Sequence, residues 1–254
     1  MNNIVVKDNE ALILNNAVNC QIDVNERLNT SIYLCDYQGD KLTINVGSNT
    51  TIKVLYFTKE KSNNHININV SNYSTLNFDV ILMNDNTDLD LDVEVAGEGV
   101  NVNVNTLSLA KECEKNININ INHHAKESTS NVCNYGISFD NGINRFKTVG
   151  KIHRNMKNSD VRQITRGLLL SPTGACLAEP ILLIDYFDVK AYHGATIGKI
   201  NDDDLFYLMS RGLTQNEAFM LVINGLVEPF VKGLSNDSIK AKILSAYEDY
   251  FRGE

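Results

Sequence analysis

Proline is almost missing from this chain: it occurs at Pro172, Pro180 and Pro229 and nowhere earlier. Proline cannot donate to a strand ladder, so nothing in the first two thirds interrupts extended pairing. Basic residues are also in deficit, with 23 Lys and Arg against 31 Asp and Glu and a formal net charge of −8. Proteins that neutralise nucleic-acid phosphates or rest on anionic membranes need basic patches, so neither partner is expected and a protein partner fits better. No apolar run approaches the ~20 residues that span a bilayer, and no basic stretch followed by an apolar segment marks export, which reads as a cytoplasmic protein. The five cysteines, Cys20, Cys35, Cys113, Cys133 and Cys176, are scattered and include no C-x-x-C pair. They read as free thiols in a reducing compartment, not as a disulfide framework or a four-thiolate cage. A G-x-x-x-x-G-K-[ST] loop is missing too, so the chain does not hydrolyse ATP in the P-loop manner. With 43% hydrophobic residues among 254, it can bury a core without cross-links.

What the chain has in abundance is alternation. From Leu42 to Ile121 it repeats one kind of phrase: LTINV, TIKVLYF, HININV, TLNFDVILM, DLDLDVEV, VNVNVNTL, NININI. Period-2 patterning places apolar side chains on one face of a strand and polar ones on the other. Every second run recurs after 23 or 24 residues, as from Leu42 to His65 and Thr51 to Thr75, and the step widens toward Ile117. Two strands per period predict a right-handed, flattened parallel β-helix over residues 1–200, with ALILNNAV and TSIYLCDY in its opening coil. A hairpin-built sandwich would want tight turns between neighbouring runs, yet Asn-Gly occurs only at Asn141–Gly142 and Asn224–Gly225, outside them. The frequent asparagines are read as compositional drift at solvent-facing positions in preference to a functional ladder.

After Ile200 the period becomes helical, giving a small subdomain over residues 201–254. Asn201 or Asp202 starts a short helix ended by Gly212. Thr214 and Glu217 have capping-box spacing before a second helix with Phe219, Val222, Leu226 and Phe230 on one face. A third, from Ser235–Asp237, carries Ile239, Ile243, Ala246, Tyr247, Tyr250 and Phe251. Three such helices make little core alone, so they are expected to cap the open end of the β-helix, with any leftover apolar face free for docking.

The densest local signal is DVKAYHGATIGKINDDDLFYLMSRG, from Asp188 to Gly212. His193 is read there in a small-residue turn just before an acidic helix start. The ordered elements are His193, Gly194, Ala195, Thr196 and Gly198, then Phe206, Tyr207 and Leu208, then Ser210, Arg211 and Gly212. Together with TVGKIHRNMKNSDVRQITRGLLLS upstream and EAFMLVINGLVEPF downstream, this half of the chain resembles the SufB/SufD family of iron–sulfur cluster assembly proteins. The N-terminal half resembles it in pattern only, and the helical region that usually precedes the β-helix in the family is not seen.

The resemblance implies a scaffold subunit, not an enzyme. Such a subunit pairs with a SufB-like subunit or with itself as a homodimer, and docks the SufC-like ABC ATPase that supplies the ATP chemistry. It also implies an iron–sulfur cluster that is transient and shared at the subunit interface, with His193 as the ligand-bearing residue; an imidazole suits a labile site. Leu205, Phe206, Tyr207 and Arg211 are the implied ATPase contacts. SufB-type sequences carry Glu where this chain has Gly194 and Cys where it has Gly174, so the chain looks more like SufD. Cys176, two positions beyond, is a second metal-ligand candidate, though a buried structural thiol is the plainer reading. The pair His123–His124 with Glu127 is read as a solvated coil corner, because adjacent strand residues face opposite ways. Asp202–Asp204 complement a helix N-terminus without needing a cation. Two other classes stay open at this stage: a purely structural β-helix adaptor, and a carbohydrate-active β-helix enzyme using the outward acids Asp88, Asp90 and Asp92.

Overall fold

A computed structural model describes residues 2–83 and 87–252. The strands fall into two parallel sheets by parity. The odd sheet runs β1 (Asn2–Val6), β3 (Cys20–Val24), β5 (Lys41–Val46), β7 (Ser62–Val70), β9 (Thr87–Val95), β11 (Glu114–His123), β13 (Ile143–Ile152), β15 (Ala175–Ile184). The even sheet runs β2 (Leu12–Asn15), β4 (Asn29–Cys35), β6 (Thr51–Thr58), β8 (Thr75–Leu82), β10 (Asn101–Lys111), β12 (Thr129–Phe139), β14 (Asp160–Leu169), β16 (Lys190–Lys199). Each strand pairs with the one a full coil away, which is the β-helix that the alternation predicts. Ile66 lies opposite Leu42 and Leu91, and all three are buried in a lumen of stacked aliphatic side chains.

The coil length is not constant. Along the even sheet the register pairs Leu12 with Ile32, then Val54, Phe78, Val104, Val132, Gln163 and His193. The successive spacings are 20, 22, 24, 26, 28, 31 and 30 residues. Strand pairing keeps every inward residue inward through this growth, the 31-residue coil included, since a one-residue slip would turn the strand over. The solenoid therefore tapers, from a four-residue edge strand at β2 to a ten-residue one at β16. One corner is a file of left-handed residues, Arg27, Asn49, Tyr73, Gly99, Glu127 and Asn158. Each donates its backbone N–H to a carbonyl of the next coil, as Tyr73 does to Glu98 at 2.8 Å. Only Gly99 among them is free of the usual penalty for positive φ.

The asparagines are structural, contrary to the compositional reading. On the outer face of the odd sheet, Asn116, Asn118 and Asn120 donate to Asp88, Asp90 and Asp92 one coil earlier, each at 2.8 Å. Asn122 does the same to Glu94, also at 2.8 Å. The outward acids that would serve a carbohydrate-active enzyme are thus engaged as ladder acceptors.

Alternation fails in the second halves of β4, β6, β8, β10 and β12, where IYLC, VLYF, VIL, LSLA and GIS are buried on both faces. The helices explain why. They are α1 (Asp202–Ser210), α2 (Gln215–Lys232) and α3 (Asp237–Arg252). Ile223, Val227, Phe230 and Val231 of α2, with Ile239, Ile243 and Tyr247 of α3, share one apolar cluster with Tyr33, Leu55, Phe57, Ile81, Leu107, Leu109 and Ile137. Lys242 pairs with the nearly buried Asp36 at 2.6 Å, the Tyr33 hydroxyl meets Ser235 at 2.9 Å, and Tyr250 donates to the Leu109 carbonyl at 2.8 Å. The helices lie along the flank of the solenoid and reach back to its early coils; they do not cap its end. The buried face of α2 is turned accordingly: Phe219 and Val222 pack toward α1, and Ile223 and Val227 take the sheet. The capping box at Thr214 and Glu217 is present as the spacing predicts.

Candidate functional site

Because the helices sit on the flank, the wide end of the β-helix is left uncovered among the described residues. Its two edge strands are β15 and β16. Most of β16 is exposed, lumen face included, since the next coil that would bury it is not there. The residues His193–Gly198, read above as a turn, form the body of this strand. Small side chains do not prevent that, because β14 supplies an in-register partner for every position from Asp160–Lys190 to Leu169–Lys199.

Register places His193 opposite Gln163, whose side chain is buried in the lumen, so His193 belongs to the lumen-facing set of β16. Gly194 therefore faces outward, next to the Tyr192 ring. His193 makes no side-chain hydrogen bond among the described residues and is exposed at the rim. Cys176 also faces the lumen, opposite Asn144 on β13, but deeper. Burial pushes its thiol up to about 12, so a thiolate is strongly disfavoured. Its sulfur fills space left by Gly136 and Gly167. Gly167 is in register with Ile197, four residues from His193, which is about 13 Å along a strand. The fold does not bring Cys176 and His193 together. Among the described residues no three His, Cys, Asp or Glu side chains converge to hold a metal ion.

An added Cβ at Gly167 would lie 2.7 Å from the Cys176 sulfur. Gly167→Ala is expected to cost about 1–3 kcal/mol by overpacking. The double variant with Cys176→Ala should recover part of that loss in a thermal melt, and strictly additive losses would show that the two sites do not meet. At Gly174, a Cβ would fall 2.5 Å from the Ser138 carbonyl oxygen, so the cysteine of SufB-type sequences has no room here without a backbone shift.

The lumen changes character toward this end. Early coils are lined by Ile, Val and Leu, and later ones by Ser108, Asn134, Ser138, Asn144, Thr148, Gln163 and Thr165, all buried. Asn144 accepts from Ser108 at 2.6 Å and donates to Ser138 at 2.9 Å; Asn134 donates to Thr148 at 3.0 Å. Three buried acceptors in this stretch, Thr106 Oγ1, Asn134 Oδ1 and Gln163 Oε1, have no partner among the described residues. Alternation alone could not reveal this, because the polar residues occupy positions the period assigns to the core.

His123 is part of that polar lumen and is not a solvated corner residue. Its two ring nitrogens lie 2.7 Å from Ser128 Oγ and 2.8 Å from Ser130 Oγ. His124 faces out as expected, bonded to Glu94 at 2.7 Å and stacked on His153 at 4.3 Å. Burial, and secondarily His124, lowers His123 from 6.5 to about 4. Above the unfolded value both states hold the ring neutral and the fold keeps its full stability. As pH falls from about 6.5 to 4, only the unfolded chain takes up the proton, and about 3 kcal/mol is lost. Urea melts at pH 7.5 and 4.5 should show this, and His123→Gln should flatten the dependence; equal slopes in both proteins would remove His123 as its source.

The helical candidates separate by exposure. Leu205 is 8% exposed and packs with Ala218 and Ile200, so it anchors α1 and is not available as a contact. Phe206 at 75% and Tyr207 at 56% stand in solvent, with the Arg211 guanidinium over the Tyr207 ring at 5.2 Å. Asn201 is the N-cap, accepting from the Asp203 N–H at 3.0 Å, and Asp202, Asp203 and Asp204 fill the first turn. No helix of the described residues is long and apolar enough to cross a membrane.

Comparison with known proteins points the same way. The chain matches the family model described as "SUF system FeS cluster assembly, SufBD core domain" over residues 10–226. It is 36% identical over 126 residues to the iron-sulfur cluster assembly protein SufD of Bacillus subtilis, a match covering 50% of this chain and 29% of that protein. To SufD of Escherichia coli it is 29% identical over 109 residues, covering 43% and 26%. A SufBD family protein of Archaeoglobus fulgidus is 45% identical over 69 residues, covering 27% and 19%. The matched stretches span less than a third of these relatives' lengths.

Proposed function

The chain belongs to the SufBD core family of the SUF iron–sulfur cluster assembly system, and from that premise we propose that it is a scaffold subunit on which a cluster is held transiently between two β-helices. In this reading the wide end, β15 and β16, pairs with a SufB-like subunit or a second copy of the chain. The SufC-like ABC ATPase docks on α1 through Phe206, Tyr207 and Arg211, and His193 is one ligand to the nascent cluster, which is cargo and not a resident cofactor. The observation that carries it is the position of His193 on the lumen face of an edge strand, β16, which is paired on one side only among the described residues. An edge presents a row of free backbone donors and acceptors, which is a template for a second strand. One imidazole cannot hold a cluster alone, so a ligand at that rim suits a site completed by a partner.

Anaerobic co-purification with the ABC ATPase and a SufB-type subunit from the same genome tests the assembly. Phe206→Ala with Tyr207→Ala should weaken ATPase binding tenfold or more, roughly the cost of losing aromatic anchors. The melting temperature should hold within a few degrees, because both rings are exposed. Unchanged ATPase recovery would take α1 out of the interface. Light scattering on the purified chain addresses self-pairing, with a clean monomer counting against the homodimer.

A further inference from the structure

We infer that Gln163 is the positioning residue for His193, accepting a hydrogen bond from one imidazole N–H so that the other ring nitrogen is presented at the rim. This rests on the reading of His193 given above as far as its purpose goes, but the pairing itself does not.

Gln163 is 1% exposed on the lumen face of β14 and lies directly in register with His193 on β16. In-register residues on neighbouring parallel strands stand about 4.8 Å apart with side chains on the same face. The amide is held from one side: its Nε2 donates to the Ile181 carbonyl across the lumen at 3.2 Å. Gly150 leaves room for it there, since an added Cβ at that position would lie 2.9 Å from Nε2. With the amide N–H₂ committed to β15, the other end of the amide is Oε1, a buried acceptor with no partner among the described residues. A buried acceptor left unpaired costs about 1–3 kcal/mol, so it favours any donor within reach. The adjacent side chain on the edge strand is an imidazole whose ring has no partner of its own among the described residues, and a neutral imidazole always carries one N–H. Turning that ring inward satisfies both groups at once. It also does what acceptors behind metal-binding histidines do, fixing the tautomer and leaving the opposite nitrogen as the lone-pair donor.

The test is nitrogen-15 NMR of the His193 ring in the full chain, recorded in mildly alkaline buffer. The unaltered protein is expected to show one dominant tautomer with a slowly exchanging ring N–H. Gln163→Met, similar in size but without the acceptor, should shift the ring toward the mixed tautomers of free imidazole, whereas Gln163→Glu, which keeps an acceptor, should hold the single form. In the complete complex, Gln163→Met should lower cluster formation about tenfold, the lower end of what losing the acceptor behind a ligating histidine costs. A mixed, fast-exchanging ring in the unaltered chain overturns the inference without any variant, and so does a ring spectrum unchanged by Gln163→Met in a protein that still melts cooperatively. A tautomer that responds to Gln163 while cluster yield ignores both Gln163→Met and His193→Ala would uphold the pairing and sink the cluster role of His193.

Discussion

A chain cut after Ile200 is expected to lose its fold and not merely a partner. The helices cover apolar side chains on the outside of the even sheet: Tyr33, Leu55, Phe57, Ile81, Met83, Leu107, Leu109 and Ile137, each nearly or fully buried. Leaving such a side chain exposed costs about 1.5–3 kcal/mol, so the total is on the order of ten kcal/mol or more. That is comparable with the entire 5–15 kcal/mol stability of a typical domain. The bared rows would also form a contiguous apolar patch of the kind that drives aggregation. Solubility and a circular-dichroism melt of the truncated chain check this, and a soluble monomer melting within a few degrees of the full chain would refute it. ATPase docking is for the same reason better probed with Phe206 and Tyr207 than by deletion.

His193→Ala is expected to leave the fold and the subunit complex intact while lowering cluster formation tenfold or more. The imidazole is exposed at the rim, so its removal opens no buried cavity and breaks no ion pair among the described residues, and the one contact it gives up is the hydrogen bond inferred to Gln163. Losing a ligand should cost at least what losing a ligand's support costs, which is about 10–100-fold. Iron and sulfide content after anaerobic reconstitution is the readout, with co-purification and a melt as controls. His193→Gln, close in shape but a poor iron ligand, should fail to the same degree. Normal cluster content in both variants would remove His193 from the chemistry.

The β-helix was legible because its signal is local: inward Ile and Val at every second position and a recurrence near 24 residues both stand in the linear text. The place of the helices was only half legible. Runs such as VLYF and VILM break the alternation and so announce a covered outer face, but nothing in them names the element that covers it. Hence α2 and α3 could be read as a cap when they are a flank. His193–Gly198 was misread as a turn because strand propensity is a weak guide in a run of small residues; pairing with β14 is a non-local fact that overrides it. The burial of His123 was hidden for a related reason. A histidine between two strand-end positions looks solvated until Ser128 and Ser130, five and seven residues on, are seen to close around it.

The growth of the coils also bears on what the molecule avoids. A solenoid of uniform cross-section offers matching edges at its two ends, and such edges can join head to tail without limit, which is how open heterologous contacts give fibres. Here the even sheet offers four residues at β2 and ten at β16. A head-to-tail junction would leave most of the longer strand's backbone groups without hydrogen-bond partners. Two wide ends, by contrast, match in length and can meet about a two-fold axis that closes on itself. Among the described residues the taper thus disfavours a head-to-tail junction of β2 with β16, by geometry alone.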